Sequence, residues 1–256
     1  MIQYEIINGV GKITLNRPDK YHSFVREMAL QLQGTLDKCN ENKAVRAILI
    51  TATGKAFCAG QDLGEVTDPN GPELTQIVQE HYNPIIRKIR NIEKPIVAAV
   101  NGVAAGAGAS IALACDIVVA TESASFIQAF SKIGLIPDSA GTFFLPRLVG
   151  MQKAAALIMT AEPVCAKDAV DMGMIYKAYS TEDFEKESWK LVSKLAAMPT
   201  KGLGLTKRLL NASYSNDLEQ QLTMEDECQT IAGNSADFKE GVQAFLEKRK
   251  PTFKGE

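Results

Sequence analysis

The chain has 256 residues, of which 46% are hydrophobic and 23% are charged, and its formal net charge is −2. This length and apolar content are sufficient for a sizeable buried core without disulfides or structural metals. Because acidic and basic residues are mixed along the sequence, there is no broad basic surface, which disfavours nucleic acid as the main partner.

The cysteine pattern and the apolar runs indicate the compartment. No apolar run is long enough to span a membrane, and the amino terminus has no signal-peptide pattern. Five cysteines, an odd and widely scattered set, predict reduced, buried thiols rather than disulfides or a metal site. The set is Cys39, Cys58, Cys115, Cys165 and Cys228. We expect a soluble cytoplasmic protein with no membrane partner and no cofactor or metal of its own.

Strand and helix patterns alternate over roughly the first half of the chain. Asn8-Gly9 predicts a hairpin turn within residues 4–15, because this pair favours two positive φ angles. Short apolar runs predict strands buried on both faces, and helical periodicity fills most of the segments between them. The strands are expected at 47–52, 95–100 and 116–120, and the helices at 24–40, 73–91 and from 109 onward. This order is typical of βαβ crossovers.

From Leu145 onward the strand signal fades and the sequence predicts an all-helical tail. The helices are expected at 150–160, 166–172, 182–197, 202–213, 218–231 and 237–250. Pro199 and Gly202 interrupt the helical pattern. We therefore place a soft boundary near Thr200, between a core of residues 1–199 and a helical region of residues 200–256.

Two turns rich in glycine and alanine each follow an apolar strand, at Lys55–Leu63 and Asn101–Ser110. Small residues let the backbone approach a ligand closely and leave its N–H groups pointing outward. Such N–H groups can stabilise a negatively charged oxygen without any side chain. Each turn alone could be an ordinary strand-to-helix connection, but together they predict an oxyanion hole.

A single acid, Asp138, lies in an apolar stretch about thirty residues after the second turn. Its apolar neighbours, Leu135, Ile136, Pro137, Phe143 and Phe144, are expected to raise its proton affinity, as proton-transfer chemistry requires. The sequence also allows a different role, because Asp is a good helix N-cap and Asp138-Ser139 precedes a turn. Sequence pattern alone leaves both interpretations open.

Several spaced motifs resemble the enoyl-CoA hydratase/isomerase (crotonase) family. They are Ala56–Leu63, Lys94–Gly102, Ala114–Ile117, Gly134–Asp138, Gly141-Thr142 and Glu240–Arg249. The resemblance implies an α/β fold in which ββα and βαβ units form a spiral, followed by a carboxyl-terminal helical trimerisation layer. It also implies a coenzyme A thioester substrate, with coenzyme A entering only as part of that substrate, and assembly as a homotrimer or a hexamer.

The same resemblance assigns roles to individual residues. The backbone N–H groups of Gln61 and Ala107 match the two oxyanion-hole donors, and their side chains have no part in that task. Asp62 is expected to orient the first turn, with helix capping as the alternative. Ser110 and Phe130 stand where hydratases of the family carry glutamates, so simple hydration is disfavoured. Asp138 matches the working aspartate of the family's dienoyl-CoA isomerases and aryl-CoA dehalogenase.

The resemblance also assigns residues that contact the substrate. Lys20, Lys55 and Lys248 match positions that meet the nucleotide end of coenzyme A, although an isolated lysine is more often a solvated surface charge. The carbonyl of Ala59 is expected to contact the adenine. Asn83 and Phe130 are expected to line the acyl pocket.

The two histidines, His22 and His81, are interpreted as surface or lining residues rather than catalytic ones. Proton transfer is therefore left to the single acid.

Within the family the chain is most similar to the phenylacetate-degradation branch. The similarity rests on Gly102–Ala109, Ala124–Phe130, Leu145–Gly150 and Leu218–Leu222. It implies isomerisation of a ring-1,2-epoxyphenylacetyl-CoA to an oxepin, with Asp138 as acid and base. Isomerisation of straight-chain 3-enoyl-CoA or dienoyl-CoA is the alternative within the family. A non-catalytic scaffold that binds CoA thioesters is the alternative from another class.

Overall fold

The computed structural model describes residues 1–256 and contains ten strands and twelve α-helices. The strands are β1 (Ile2–Ile7), β2 (Val10–Leu15), β3 (Ala47–Ala52), β4 (Ala56–Cys58), β5 (Ile96–Val100), β6 (Val103–Ala105), β7 (Ile117–Thr121), β8 (Ser125–Ile127), β9 (Val164–Cys165) and β10 (Lys177–Tyr179). The helices are α1 (Arg26–Glu41), α2 (Leu63–Thr67), α3 (Leu74–Gln76), α4 (Asn83–Asn91), α5 (Ala107–Leu113), α6 (Gly141–Val149), α7 (Met151–Thr160), α8 (Ala166–Asp171), α9 (Phe184–Ala196), α10 (Thr200–Ala212), α11 (Leu218–Gly233) and α12 (Ala236–Leu246). A π-helical turn, Ile77–Tyr82, joins α3 to α4.

The predicted amino-terminal hairpin is confirmed. β1 and β2 pair antiparallel with Ile7 opposite Val10, which leaves Asn8 and Gly9 as the two-residue loop. Both loop residues have positive φ angles, 49° and 82°, as the tightest hairpin turns require.

The remaining strands form a spiral across two sheets. The first sheet has the order β1-β2-β3-β5-β7-β10, and the second has the order β4-β6-β8-β9. Three times in succession a long strand in the first sheet is followed directly by a short strand in the second, as β3 then β4, β5 then β6, and β7 then β8. The glycine turns, Lys55–Leu63 and Asn101–Ser110, contain the short strands β4 and β6 and lead into α2 and α5. The predicted α/β spiral is therefore confirmed.

The apolar runs predicted as buried strands face two separate cores. On β3, Ile48 and Ile50 belong to the larger cluster of 43 buried residues, while Leu49 points the other way. Leu49 joins a smaller cluster of eight buried residues that packs against α9. Successive side chains of a strand point to opposite faces, so both faces of this sheet are covered.

The prediction of an all-helical tail after Leu145 is wrong in two places. β9 pairs with β8, and β10 pairs in parallel with β7 at the edge of the first sheet. These strands have two and three residues, which is too short for a periodic pattern to show. The last helix also ends earlier than expected, at Leu246 rather than Lys250.

The carboxyl-terminal helices carry an unusual number of exposed apolar side chains. Leu210, Leu218, Phe238 and Phe245 are 62%, 70%, 53% and 83% exposed. Exposed apolar side chains mark interaction sites where they form a large contiguous patch. Among all the helices, none combines the length and apolar character needed to cross a bilayer.

Candidate active site

The two glycine turns lie against each other. Gly60 has a φ angle of 90°, and a Cβ atom on it would lie 2.9 Å from the carbonyl oxygen of Ala105 and 3.3 Å from the backbone nitrogen of Ala107. Only glycine combines this conformation with so close an approach. The first turn is therefore in backbone contact with the start of α5.

Each turn presents backbone N–H groups that no acceptor in the chain satisfies. They include those of Gln61, between β4 and α2, and of Ala107, the first residue of α5. The first N–H groups of a helix have no partner within the helix, which explains the donor at Ala107. Two free donors on touching turns are the arrangement that an oxyanion needs.

The second turn and α5 are fixed by close packing of small residues. A Cβ atom on Gly108 would lie 2.5 Å from the carbonyl oxygen of Cys58, and one on Gly102 would lie 2.1 Å from the carbonyl oxygen of Lys55. All seven residues of α5 are buried. The small residues of the turn therefore serve the close contact with β4.

Charged and polar side chains fix the first turn. The Asp62 carboxylate accepts hydrogen bonds from Arg17 at 2.6 Å and from the N–H of Gly64 at 2.9 Å, where it caps α2. Burial alone would raise the pKa of Asp62, but these two hydrogen bonds and the charges of Arg17 and Lys20 lower it below the ordinary value. Asp62 thus caps a helix and orients the turn at the same time.

The side chain of Gln61 is also bonded at both ends. Its Oε1 accepts from the hydroxyl of Tyr82 at 2.8 Å, and its Nε2 donates to the carboxylate of Glu65 at 2.8 Å. Sequence reasoning assigned this side chain no part in donation to an oxyanion, which stays a prediction, but the side chain does help to fix the turn. Its partners come from the π-helical turn and from α2.

Asp138 is half-buried and does not cap a helix. α6 starts at Gly141 with Ala140 as its N-cap and no side-chain cap, so the capping interpretation is wrong. The Asp138 carboxylate accepts a hydrogen bond from the hydroxyl of Ser139 at 2.9 Å. Burial raises the pKa of Asp138, although bonds from the Ser139 hydroxyl and from its own backbone N–H oppose the effect.

The predicted direction of this pKa is confirmed, but the expected apolar flank is only partly present. Ile136 is 80% exposed, and Leu135 and Phe143 are 39% and 40% exposed. Pro137 and Phe144 are the flanking residues that are buried. An apolar stretch in the sequence did not reveal which side chains turn inward.

The segment that carries Asp138 packs against the second turn's helix. A Cβ atom on Gly141 would lie 2.8 Å from Ser110 Oγ and 3.1 Å from Pro137 Cβ. The charge of Asp138 also contributes to the raised pKa of Tyr82. The segment that carries Asp138 therefore packs on α5, and its carboxylate is close enough to Tyr82, the residue that contacts Gln61, for its charge to act on that hydroxyl.

The two positions at which hydratases of the family carry glutamates hold no carboxylate. Ser110 on α5 is 1% exposed and Phe130 is 7% exposed. The ring of Phe130 faces Gly106, where a Cβ atom would lie 3.8 Å from Phe130 Cζ. Neither of these two positions supplies an acid, which leaves Asp138 as the candidate acid of the site.

The residues expected to contact coenzyme A lie in two places. Ala59, Lys20 and Lys55 surround the first turn and are exposed, and the positive charge of Lys20 acts on Asp62. Lys248 lies after α12, which packs on α11. Asn83, expected in the acyl pocket, is half-buried directly after Tyr82.

Both histidines are fully buried, so the surface alternative is wrong and the lining alternative stays a prediction. Burial lowers both pKa values. His22 Nδ1 accepts from the backbone N–H of Arg17 at 2.9 Å, and Nε2 lies 2.7 Å from the carbonyl of Thr53. His22 therefore supports the loop that carries Arg17. His81, in the π-helical turn, has no hydrogen-bond partner at either nitrogen.

One cysteine also departs from expectation, because Cys165 is exposed while the other four are buried. Burial raises the pKa of Cys58 to about 12, which makes it an inert thiol beside the first turn.

Sequence reasoning missed three residues that hold the first turn: Arg17, Glu65 and Tyr82. Arg17 and Tyr82 contact the turn across long sequence separations, 45 positions from Asp62 and 21 positions from Gln61. The sequence offered no local signal for these two contacts, because charged and aromatic residues at such positions are common on ordinary surfaces and in cores. Glu65 is only four positions from Gln61, and this spacing was the one local signal available.

Comparison with known proteins identifies the family of the chain. The family model for enoyl-CoA hydratase/isomerase matches residues 5–256. The 1,2-epoxyphenylacetyl-CoA isomerase of Escherichia coli (strain K12) is 45% identical over 250 residues, which cover 96% of this chain and 95% of the relative. A Rhodobacter capsulatus protein described as a probable enoyl-CoA hydratase is 44% identical over 254 residues, with 99% and 98% covered.

Solved structures agree as well. The crystal structure of an enoyl-CoA hydratase from Bacillus anthracis superposes with a TM-score of 0.93 at 32% identity and covers 100% of this chain and 99% of that one. The chain is an enzyme that belongs to the enoyl-CoA hydratase/isomerase (crotonase) family.

Proposed function

We propose that this enzyme is an isomerase of CoA thioesters that converts 2-(1,2-epoxy-1,2-dihydrophenyl)acetyl-CoA to oxepin-CoA. The observation that carries the proposal is a single half-buried acid, Asp138, beside two touching turns that each present a free backbone N–H. The 45% identity to the Escherichia coli 1,2-epoxyphenylacetyl-CoA isomerase supports this choice of substrate.

The chemistry follows from the acidity of the carbon beside the thioester. Asp138 takes a proton from this carbon, and the electron pair moves onto the thioester oxygen, which accepts hydrogen bonds from the Gln61 and Ala107 N–H groups. Loss of one such donor in other enzymes costs about 3 to 4 kcal/mol, so the pair supplies a large part of the barrier reduction. A raised pKa at Asp138 suits a group that must both accept and return a proton.

The product contains the same atoms as the substrate. In the epoxide, the bond between the two ring carbons that share the oxygen breaks and the ring expands to seven members. The proton removed beside the thioester returns to a ring carbon, so the double bonds rearrange without net gain or loss. In a linear 3-enoyl-CoA the same proton would return two carbons further along, which moves the double bond into conjugation.

Linear 3-enoyl-CoA or dienoyl-CoA isomerisation is the second candidate, because it uses the same acid and the same donors.

Hydration is the third candidate, supported by the hydratase description of the 44% identical relative. It needs two groups to handle water and its second proton, whereas Ser110 and Phe130 provide no carboxylate. A scaffold that binds thioesters without turnover is the fourth, and the free donors and the raised pKa of Asp138 argue against it.

Parallel turnover assays on the epoxide, a linear 3-enoyl-CoA and crotonyl-CoA test the proposal. We expect the highest kcat/KM on the epoxide. Asp138→Asn should lower kcat by about 10²- to 10⁴-fold, because it removes the proton-transferring group, while thioester affinity stays near that of the wild type. Asp171→Asn, on exposed α8, is the matched control and should leave kcat unchanged. Near-normal turnover by Asp138→Asn would remove Asp138 from the mechanism.

We propose that Lys20, Lys55 and Lys248 bind the phosphates of coenzyme A, that the Ala59 carbonyl meets the adenine, and that Asn83 and Phe130 line the acyl pocket. The exposure of all three ammonium groups supports the phosphate contacts. Replacing each lysine with Gln should raise KM and weaken its dependence on salt without lowering kcat.

We also propose that the chain assembles as a homotrimer or hexamer through residues 200–256. The exposed apolar side chains of α10 to α12 support this assembly. Light scattering on the purified protein gives the molar mass, and the mass of a monomer would refute the proposal.

A further inference from the structure

The side chain of Gln61 connects the first turn to three other segments of the chain. Its Oε1 accepts from the Tyr82 hydroxyl and its Nε2 donates to one carboxylate oxygen of Glu65, both at 2.8 Å. The second carboxylate oxygen of Glu65 accepts from the backbone N–H of Arg26, at the start of α1, also at 2.8 Å. Because the acceptor and the donor end of the amide are each used, only one orientation of the side chain satisfies both partners.

Tyr82 is a rigid partner for this amide. Its side chain is fully buried, and its ring packs edge-to-face on Phe24 with centroids 5.9 Å apart. It is the last residue of the π-helical turn Ile77–Tyr82, a kind of turn that is frequent at functional sites. Burial, with the nearby charges of Asp138 and Glu65, raises the pKa of Tyr82 well above its ordinary value, so its hydroxyl remains a donor.

The opposite side of the turn is fixed by main-chain hydrogen bonds. The N–H of Phe24 donates to the carbonyl of Gly60 at 2.7 Å, and the N–H of Asp62 donates to the carbonyl of Phe24 at 2.9 Å. The residue between Gly60 and Asp62 is Gln61, whose own N–H stays free. The donor peptide is therefore fixed through its backbone neighbours on one side and through its side chain on the other.

We propose that Tyr82 is a positioning residue that acts through the Gln61 side chain to direct the Gln61 backbone N–H at the thioester oxygen. The proposal rests on the proposed function, because it requires an enolate oxygen at that N–H. Tyr82 need not touch the substrate. A donor works only when it points to the place where negative charge develops, so freedom of the Gln61 side chain reduces catalysis without loss of the donor itself.

Tyr82→Phe tests this, because it retains the ring and its contact with Phe24 and removes only the hydroxyl. We expect kcat to fall roughly 5- to 30-fold, less than the loss of a whole donor, with KM changed by less than about twofold. Tyr4→Phe, on edge strand β1, is the matched control and should leave both constants unchanged.

A spectroscopic measurement separates positioning from a general structural effect. With phenylacetyl-CoA carrying a ¹³C thioester carbonyl, the wild-type enzyme should lower the C=O stretching frequency, and Tyr82→Phe should return it toward the value in solution. Exchange of the protons beside the thioester with D₂O should slow by the same factor as kcat. Equal stretching frequencies in wild type and Tyr82→Phe would overturn the proposal.

A double-mutant cycle shows whether Tyr82 acts through Gln61. Gln61→Leu removes the amide and should lower kcat at least as much as Tyr82→Phe. The double variant should match Gln61→Leu within about twofold, because the two residues form one unit. If the fold-reductions in kcat of the two single variants multiply in the double variant, the proposal is overturned. Should Tyr82→Phe fail to fold, the stretching frequency in Gln61→Leu decides in the same way.

These measurements also separate the two levels of proposal. If the wild-type enzyme neither shifts the carbonyl frequency nor exchanges the protons, the proposed function fails. If the wild type does both and Tyr82→Phe equals it in both, only the role of Tyr82 fails.

Discussion

The two donor turns present the same chemical group but are fixed by different forces. Side chains fix the first turn, through the Arg17–Asp62 ion pair and the bonds from Gln61 to Tyr82 and Glu65. In the second turn the Asn101 side chain donates to the carbonyls of Gly54 and Ala56, and the remainder is fixed by the close approach of small residues, as where Gly108 lies on Cys58. A polar network thus fixes the turn that carries the Gln61 N–H, and a packed backbone fixes the turn that carries the Ala107 N–H.

This difference predicts different sensitivities. Hydrogen bonds and ion pairs depend on protonation and on salt, whereas packed backbone contacts depend on volume alone. We therefore expect the first turn to respond to loss of a polar partner and to pH. We expect the second to tolerate changes in pH and to fail when a single methyl group is added.

Among the changes that test how the two turns are fixed, the largest expected effect is that of Gly108→Ala. The new Cβ atom would lie 2.5 Å from the Cys58 carbonyl oxygen and 2.6 Å from its Cβ, so α5 must move away from β4. Overpacking of this kind costs about 1 to 3 kcal/mol or more, and the shift also displaces the Ala107 donor. We expect a lower free energy of unfolding in urea and a loss of kcat of at least about tenfold.

A glycine with open space around it provides the control. Gly34→Ala on α1 meets nothing within 4 Å and should stabilise the helix by about 0.5 to 1 kcal/mol. Cys58→Ala should not rescue Gly108→Ala, because the closest clash is with the backbone carbonyl, which that change retains. Wild-type kcat and stability in Gly108→Ala would show that the second turn is not fixed by packing.

A smaller effect is expected for Arg17→Met, which removes the partner of Asp62. The side chains of this ion pair are 21% and 16% exposed, so the unpaired carboxylate is only partly hydrated. We expect a loss of about 1 to 2 kcal/mol in the free energy of unfolding at neutral pH, and a moderate loss of kcat.

The loss of stability in Arg17→Met should depend on pH in a definite direction. The pKa of Asp62 is lowered in the fold, so its stabilising contribution is present above its unfolded pKa and disappears as pH falls through the lowered value. Unfolding curves of the wild type and Arg17→Met should therefore converge in acid. A gap that stays constant down to low pH would mean that Arg17 acts through its bonds to Ser23 or through packing, and not through the charge of Asp62.

The sequence predicted the second turn better than the first. The run of glycine and alanine in Asn101–Ser110 is itself the cause of the close packing, so the pattern and its structural role coincide. The spiral was predictable for a similar reason, since strands such as Ala47–Ala52 are uniformly apolar where both faces are buried.

The polar network of the first turn was not predictable from pattern. Tyr82 and Gln61 are 21 positions apart, and their contact depends on how a π-helical turn directs a side chain. Neither residue has a local signature for such a contact. The short strands β9 and β10 were missed because two or three residues carry no measurable period.

The smallest expected effect is that of Asp138→Asn on stability, and it contrasts Asp138 with Asp62. Asp138 lies in the segment that packs on α5. Asp138 has no cationic partner, and burial raises its pKa. A carboxyl group whose pKa is higher in the fold binds its proton more tightly there, so its charge costs stability as pH rises through and above the unfolded pKa. Asp138→Asn removes that cost. We expect this inactive variant to exceed the wild type by about 0.5 to 2 kcal/mol in the free energy of unfolding at neutral pH, and to equal it in acid. Urea unfolding across the pH range, with Asp171→Asn as the control for an exposed carboxylate, measures this difference. A variant less stable than the wild type at neutral pH would mean that the Asp138 charge stabilises the fold, as that of Asp62 does.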